Sequence, residues 1–288
     1  MPGKYADLHV HSIYSDGTYS PEEIVRQAVQ NEVGLLAVCD HNVIEGSLKT
    51  EPLARAAGIR FVRGVEIDSM LLGVDAHILC YGADFSNGPL LSAIRHARAR
   101  LDWMSDELLN RMLPDYPQLS AEAYAAFPMD SALGGWKLLQ YLYRAGVTDS
   151  LREGFRFYDD YDVTYASAGF QSAAEIIARI HEANGLAVLA HPGVTFSAES
   201  MDRGLAAALE CGIDGIECYY PKHAPELRDA LLKFCAAHAL QITAGSDCHG
   251  AFSTAQVGGV GGADSQLLPH LVTTILSRFP TQNPSSTE

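Results

Sequence analysis

The 288-residue sequence has no C-x-x-C pair, no tandem repeat and no apolar stretch long enough to span a bilayer. These absences exclude a zinc ribbon, a solenoid and a membrane-spanning helix as the basis of the fold. Positive charge is scarce. Twenty Lys and Arg stand against 35 Asp and Glu, a formal charge of -15. Such a chain is not built to grip long nucleic acid by neutralising phosphates, and no such partner is expected. A small phosphorylated substrate stays open, because bound cations would reverse the local field. The first residues, Met1 to Asp7, carry no apolar h-region, so no signal peptide is expected. The six cysteines lie mostly in apolar runs and read as buried free thiols of a cytoplasmic protein. Oligomeric state is not legible.

Hydrophobic content is ample, at 48%, enough for a large core. Apolar runs alternate with helical patterns. Residues 5–11 read as a strand. Ser20-Pro21-Glu22-Glu23 opens a helix that Gly34 is expected to end. Leu35 to Cys39 reads as a buried strand and Glu45 to Ala57 as a helix, with Pro52 a candidate interruption. Strands follow at Ile59–Ile67 and Asp75–Tyr81, then a long helix from Pro89 to Met112. After residue 169 the alternation resumes, with Ser172 and Glu175 spaced as a capping box. Strands at Leu186–Ala190, Gly215–Tyr219 and Leu240–Ala244 are separated by helices, and a last helix is expected near Gln266–Arg278. This order predicts an α/β fold with a parallel sheet or barrel and a site at the C-terminal strand ends. The stretch 113–169 breaks the alternation with prolines, a Gly134-Gly135 pair and an aromatic, acidic run. It is expected to be an inserted, mostly helical subdomain over the barrel mouth, leaving 1–112 and 170–288 as the barrel.

Chemistry gathers at the strand ends. His9 and His11 are two apart, so a strand would point both the same way. Asp16, His41, Glu66, His77, His191, Asp247 and His249 recur at comparable positions. A lone histidine is most simply a hydrogen-bonded structural residue. Nine imidazoles and carboxylates at one rim would instead carry a heavy desolvation cost unless cations neutralised them. A multinuclear metal site follows, and mixed His and carboxylate ligands suit manganese, iron or zinc. His96, His181, His238 and His270 lie in helical patterns and read as structural.

The H-x-H-x4-D-G opening, Asp40-His41, Gly64-Val65-Glu66, Ala190-His191-Pro192 and Gly245-Ser246-Asp247-Cys248-His249-Gly250 resemble the PHP (polymerase and histidinol phosphatase) family. The resemblance implies a distorted (β/α)7 barrel holding two or three divalent metals. It implies one metal on His9, His11, Glu66 and Asp247, with Glu66 bridging to a second held by His77 and His191. Asp16, His41 and His249 would hold a third. The activity implied is hydrolysis of a small phosphorylated substrate, a nucleotide among the candidates, with a metal-bridging hydroxide attacking phosphorus. Glu66 and Asp247 then serve catalysis through the metals. His223, after a barrel strand, would bind substrate and give the leaving group its proton. Asp16 resembles the small-phosphoesterase branch; histidinol phosphatases more often carry histidine there. Histidinol-phosphate phosphatase remains the alternative enzyme. Related phosphoesterases open an inserted helix with Arg-x-His or Arg-Pro-His, used on substrate phosphate. This chain has Leu133-Gly134-Gly135-Trp136-Lys137-Leu138 there. Lys137 is then the expected substitute charge, and Trp136, Phe157 and Tyr158 are either base-stacking or core. That altered motif also keeps open a weakly catalytic metal-binding or regulatory module.

Overall fold

The computed structural model describes residues 4–259; the helix expected near 266–278 lies outside them. In chain order the first elements are β1 (Tyr5–Asp7), α1 (Pro21–Gln30), β2 (Val33–Leu36), α2 (Glu45–Ala56), β3 (Arg60–Phe61), β4 (Gly64–Leu71) and β5 (Val74–Tyr81). Then come α3 (Gly88–Met112), α4 (Ala121–Ala126), α5 (Lys137–Arg144), α6 (Arg156–Asp160), α7 (Tyr165–Ala168), α8 (Ala173–Glu182), β6 (Leu186–Leu189) and α9 (Pro192–Thr195). The last are α10 (Met201–Glu210), β7 (Gly215–Tyr219), α11 (Pro225–His238) and β8 (Gln241–Ala244).

Local chemistry sets several ends. Ser20 accepts the Glu23 N–H at the start of α1, and Ser172 and Glu175 form the expected capping box on α8. The end of α1 corrects the sequence expectation. Asn31 caps it, Glu32 turns the chain at φ 55°, and Gly34 already lies in β2. Pro52 sits inside α2 without interrupting it. Its ring is exposed, so water can serve the carbonyl that the missing N–H leaves free.

The strands form two sheets. One is parallel, in the order β1-β2-β3; the other is mixed, in the order β4-β5-β6-β7-β8. A wholly parallel arrangement is therefore not found. β5 runs antiparallel to both β4 and β6, and Leu72 and Gly73, both at positive φ, close a two-residue hairpin between β4 and β5. Regular ladders do not close the sheets into one cylinder. Isolated bridges at Val10–Cys248 and His41–Glu66 join one sheet to the other.

The strands are apolar on both faces. Leu79 and Tyr81 of β5, Leu186 and Val188 of β6, and Ala6, Leu8 and Leu35 pack together in one buried cluster drawn from both sheets. The alternate residues Ile78, Cys80, Ala187 and Leu189 pack outward among α3, α8 and α10. Tyr81 donates its hydroxyl hydrogen to Leu8 O at 2.7 Å, pinning the inner cluster to the chain after β1.

Candidate metal centre

Beyond β1 the chain stays extended. The His11 N–H donates to Cys248 O and the Asp247 N–H to His9 O. Alternation therefore holds on this edge, and the His9 and His11 Nε2 atoms come within 3.1 Å of each other. Two buried aspartates hold the frame. Asp7 accepts N–H groups from His9, Ser246 and Gly258, tying the first strand to the β8 loop. Asp40 accepts from the Ser12 N–H and from the Ser12 and Ser15 hydroxyls, clamping the loop that returns Asp16. His41 pairs in register with Glu66 between the two sheets. His77 was expected near the start of its strand and among the rim ligands. Because β5 runs backwards, its start lies at the same rim.

All nine expected ligands converge. His9, Glu66, His191 and Asp247 offer donor atoms within 4.8 Å of one another; so do His11, Asp16, His41 and His249, and so do His41, Glu66 and His77. The partition differs from the one expected. His191 replaces His11 beside His9, Glu66 and Asp247, and His41 serves two groups. His11 stands between them, with Nε2 3.2 Å from both Glu66 Oε2 and Asp247 Oδ1 and Nδ1 3.6 Å from Asp16 Oδ1.

These residues fit cations. Glu66 Oε2 is buried without a hydrogen-bond partner, although His9 Nε2 and His11 Nε2 each lie 3.2 Å away and His41 Nδ1 3.4 Å away. Asp16 Oδ1 and His41 Nδ1 are likewise buried and unpartnered. Buried polar atoms without partners are costly, and a cation satisfies several at once. Charge tells the same story. Burial opposes ionisation of Glu66, yet His9, His41 and His77 hold its carboxyl well below the usual range. Asp16, against the same burial, is held low by His249, His41 and His11. Burial should strip the proton from His249, but Asp16 and Asp247 raise it to about 9. Each such pair is the site's own partial substitute for a divalent ion.

Two acidic residues were missed. Glu217, buried in the middle of β7, accepts from His9 Nδ1 and from the His191 backbone N–H, so it sets which way the His9 imidazole faces and anchors the chain at His191. Gly245 is needed beside it, since a Cβ there would fall 2.1 Å from Glu217 Oε1. Asp68 lies 3.1 Å from His77 Nε2 and 3.5 Å from His41 Nδ1, and accepts from the Tyr165 hydroxyl at 2.6 Å. Both left a signal. Asp68 shares the Glu66 face of its strand at a spacing of two, and Glu217 is a lone acid in an apolar run. Tyr220 donates its hydroxyl hydrogen to Asp247 Oδ2 and lies beside His191. Tyr165 and Tyr220 had no comparable sequence signal.

The two expected substrate contacts have other partners in this structure. Lys137 is turned from the rim. Its Nζ donates to Ala125 O and lies over the Tyr124 ring, where desolvated stem and cation are both satisfied. His223 has both ring nitrogens occupied by backbone: Nδ1–H donates to Cys218 O and Nε2 accepts the Gly193 N–H. Burial lowers its pKa. A neutral ring with its lone pair already used is a poor proton donor. Phe157 is core, whereas Trp136 stands 5.7 Å from the His41 ring. His96, His181 and His238 stay off the rim as expected: His96 faces Gly169 O, His181 pairs with Asp214, and His238 stacks on Phe234.

An α/β chain with this rim belongs to the metal-dependent phosphoric ester hydrolases. More narrowly, it belongs to the PHP domain family, whose model matches residues 7–183. A 5'-3' exoribonuclease of Haemophilus influenzae is 29% identical, over 86% of this chain and 91% of the relative. A 3',5'-nucleoside bisphosphate phosphatase of Chromobacterium violaceum is 27% identical over 84% and 86%. A Bifidobacterium adolescentis crystal structure, described as an inferred metal-dependent phosphoesterase, matches with a TM-score of 0.74 and 26% identity over 94% and 95%.

Proposed function

We propose that the chain hydrolyses phosphate esters of small compounds, a nucleotide or RNA end among them, with two or three divalent ions of manganese, iron or zinc held by His9, His11, Asp16, His41, Glu66, His77, His191, Asp247 and His249. One observation carries this: nine side chains from positions 9 to 249 meet at one rim, and buried carboxylate oxygens there lack donors. Divalent ions bound there supply Lewis acidity toward phosphoryl oxygen and lower the pKa of water. The chain's own part is positional. Glu66 faces His77 and His191 through Oε1 and His9 and His11 through Oε2, which suits a bridging ligand. Glu217 and Asp68 hold His9 and His77 at fixed tautomers, each leaving its other ring nitrogen toward Glu66. Tyr220, not His223, carries a hydroxyl at the rim beside Asp247 and is the better placed proton carrier for a leaving group.

The two sheets are proposed as the arcs of one distorted (β/α)7 barrel. The shared inner cluster and the isolated bridges support this. Residues 113–169 are proposed as the insertion over its mouth, because Trp136, Arg152, Tyr158 and Tyr165 line the same cavity as the rim. Free thiols at all six cysteines support a reducing, cytoplasmic setting. Elemental analysis of purified protein, with phosphate release measured on the same sample against an aryl phosphate, nucleotides, a 5'-phosphorylated oligoribonucleotide and histidinol phosphate, tests the reading. Bound transition metal with chelator-sensitive release on at least one ester is expected. Metal-replete protein that releases no phosphate would favour the regulatory alternative.

A further inference from the structure

Asp68 follows Glu66 by two residues on β4, and its buried carboxylate serves two of the rim imidazoles. Oδ1 lies 3.1 Å from His77 Nε2, and Oδ2 lies 3.5 Å from His41 Nδ1. His77 turns its other nitrogen, Nδ1, to Glu66 Oε1 at 3.0 Å. An imidazole whose N–H is taken by one carboxylate presents its remaining lone pair on the opposite side, so Asp68 decides how His77 meets the rim.

A carboxylate in that role must itself be held. Asn42 holds one side. Its side-chain amide donates to Asp68 Oδ2, and its Oδ1 accepts the Asp68 N–H at 3.0 Å. The Asn42 backbone N–H donates to Glu66 O at 2.8 Å, which locks it to the same strand. Tyr165 holds the other side. Its hydroxyl donates to Asp68 Oδ1 at 2.6 Å, the length of a hydroxyl on a charged oxygen. Tyr165 is firmly placed although its helix has four residues. A Thr164–Ser167 capping box starts α7, and Gly169, at φ 76°, ends it. The Tyr165 ring stacks on buried Phe170, with centres 4.2 Å apart and planes 16° apart. Just beyond, Gln171 O accepts the Met70 N–H, and Ser172 forms an isolated bridge with Met70. Those contacts tie the segment to β4 itself, so the phenol reaches Asp68 as a fixed group. By that contact Tyr165 belongs with the rim, although the chain places it in the stretch 113–169.

We propose that Tyr165 is a positioning residue for the metal centre: its hydroxyl fixes Asp68, Asp68 fixes His77, and the affinity of the cation group that His77 completes depends on this chain of contacts. The inference rests on the reading of the rim as a metal centre and on no choice of ester.

The test titrates metal-free protein with manganese by calorimetry, in the wild type, Tyr165→Phe, Asp68→Asn and the double variant. Phe keeps the stacking on Phe170 and removes the hydroxyl alone. Tyr165→Phe is expected to weaken one class of site by about tenfold, the lower end of what supporting groups contribute, and the others by less than about threefold. Asp68→Asn should weaken the same class further. The double variant should be no weaker than Asp68→Asn, because the hydroxyl acts only through the carboxylate. Saturating manganese should return kcat in Tyr165→Phe on whichever ester the wild type hydrolyses, with KM unchanged. Circular dichroism on each metal-free variant reports its fold; should Asp68→Asn not fold, the site-selective loss in Tyr165→Phe still decides. Unchanged affinity in Tyr165→Phe, equal weakening at every site, or losses that simply add in the double variant overturn the proposal. So does a KM that rises in Tyr165→Phe and stays high at saturating manganese, which would make the phenol a substrate contact. A wild type that binds manganese but hydrolyses no ester would sink the phosphoesterase reading and leave Tyr165 in its role. A wild type that takes up no manganese, iron or zinc overturns both.

Discussion

The two walls of the central cavity are built by different means. One wall is the rim. Its side chains hang from strands and from the tight turns that follow them, are mostly buried, and are fixed by one another and by Asp7, Asp40, Asp68 and Glu217. The other wall is drawn largely from residues 136–166 and 251–256, where helices run only four to eight residues and Phe155 is exposed. Backbone held in the sheets, and in turns hydrogen-bonded to them, fixes a side chain's direction, which chemistry at phosphorus requires. Short helices and turns let composition vary without disturbing that frame, which suits the choice of substrate. If this division holds, damage to the first wall should abolish turnover on every ester. Damage to the second should change which ester is preferred.

The largest effect is expected from Glu66→Gln. Glu66 faces five imidazoles through its two oxygens, and Gln offers only one acceptor. Loss of several kcal/mol of Lewis-acid stabilisation corresponds to roughly three decades in rate. Activity should fall by about that much on all substrates alike, bound metal should drop by elemental analysis, and far-UV circular dichroism should stay native. Wild-type rates in this variant would remove Glu66 from the site and with it the rim as the chemical wall.

Next comes Glu217→Gln, which tests whether the rim includes residues that touch no cation. Gln keeps the volume, but one of the two donors, His9 Nδ1 or the His191 N–H, then faces an amide NH2. Loss of such a supporting carboxylate typically costs about 10–100-fold in metal affinity or activity. Metal titration should show the weakening, and excess metal should recover part of kcat. Recovery separates this residue from Glu66, where saturating metal should not help. No change in metal affinity would make Glu217 a packing residue only.

The two walls were unequally legible in the sequence. Most of the nine rim residues could be named because they end or follow an apolar run, Asp16 lies on a loop closed by Gly17, and a period of two fixes the face for His9 and His11. Asp68 obeyed the same rule and was passed over for want of a metal-like neighbour in sequence. Glu217 sits mid-strand, where an acid looks like an interruption of a buried run until Gly245 is seen to make room for it. That His11 reaches the carboxylates of one donor group while counted in another depends on side-chain distances across strands, which spacing in sequence does not carry. The antiparallel β5 was hidden because Leu72-Gly73 lacks the usual Asn-Gly or Asp-Gly of a two-residue hairpin. On the second wall, pattern fails for a plainer reason. Arg152 is one arginine among many, and its place on the wall is set by the carbonyl of a residue 100 positions away.

The smallest effect sharpens the comparison most, because sequence reasoning and geometry disagree about it. Lys137 stands where a substrate-binding cation was expected, at the start of α5. Its charge is spent on Ala125 O and the Tyr124 ring, beside a smaller cavity of about 540 Å³ that Trp136 borders from the other side. A half-buried cation–π contact of this kind contributes about 1 kcal/mol. Lys137→Ala should therefore lower thermal stability slightly and change kcat/KM by less than about threefold on any ester. The same holds in reverse for salt, since a phosphate contact at Lys137 would make KM rise steeply with ionic strength in the wild type and less so in the variant. Equal salt dependence in both proteins is expected. A tenfold rise in KM confined to Lys137→Ala would mean that the lysine swings across the Trp136 ring to reach substrate, and the second wall would then be a moving part instead of a fixed one.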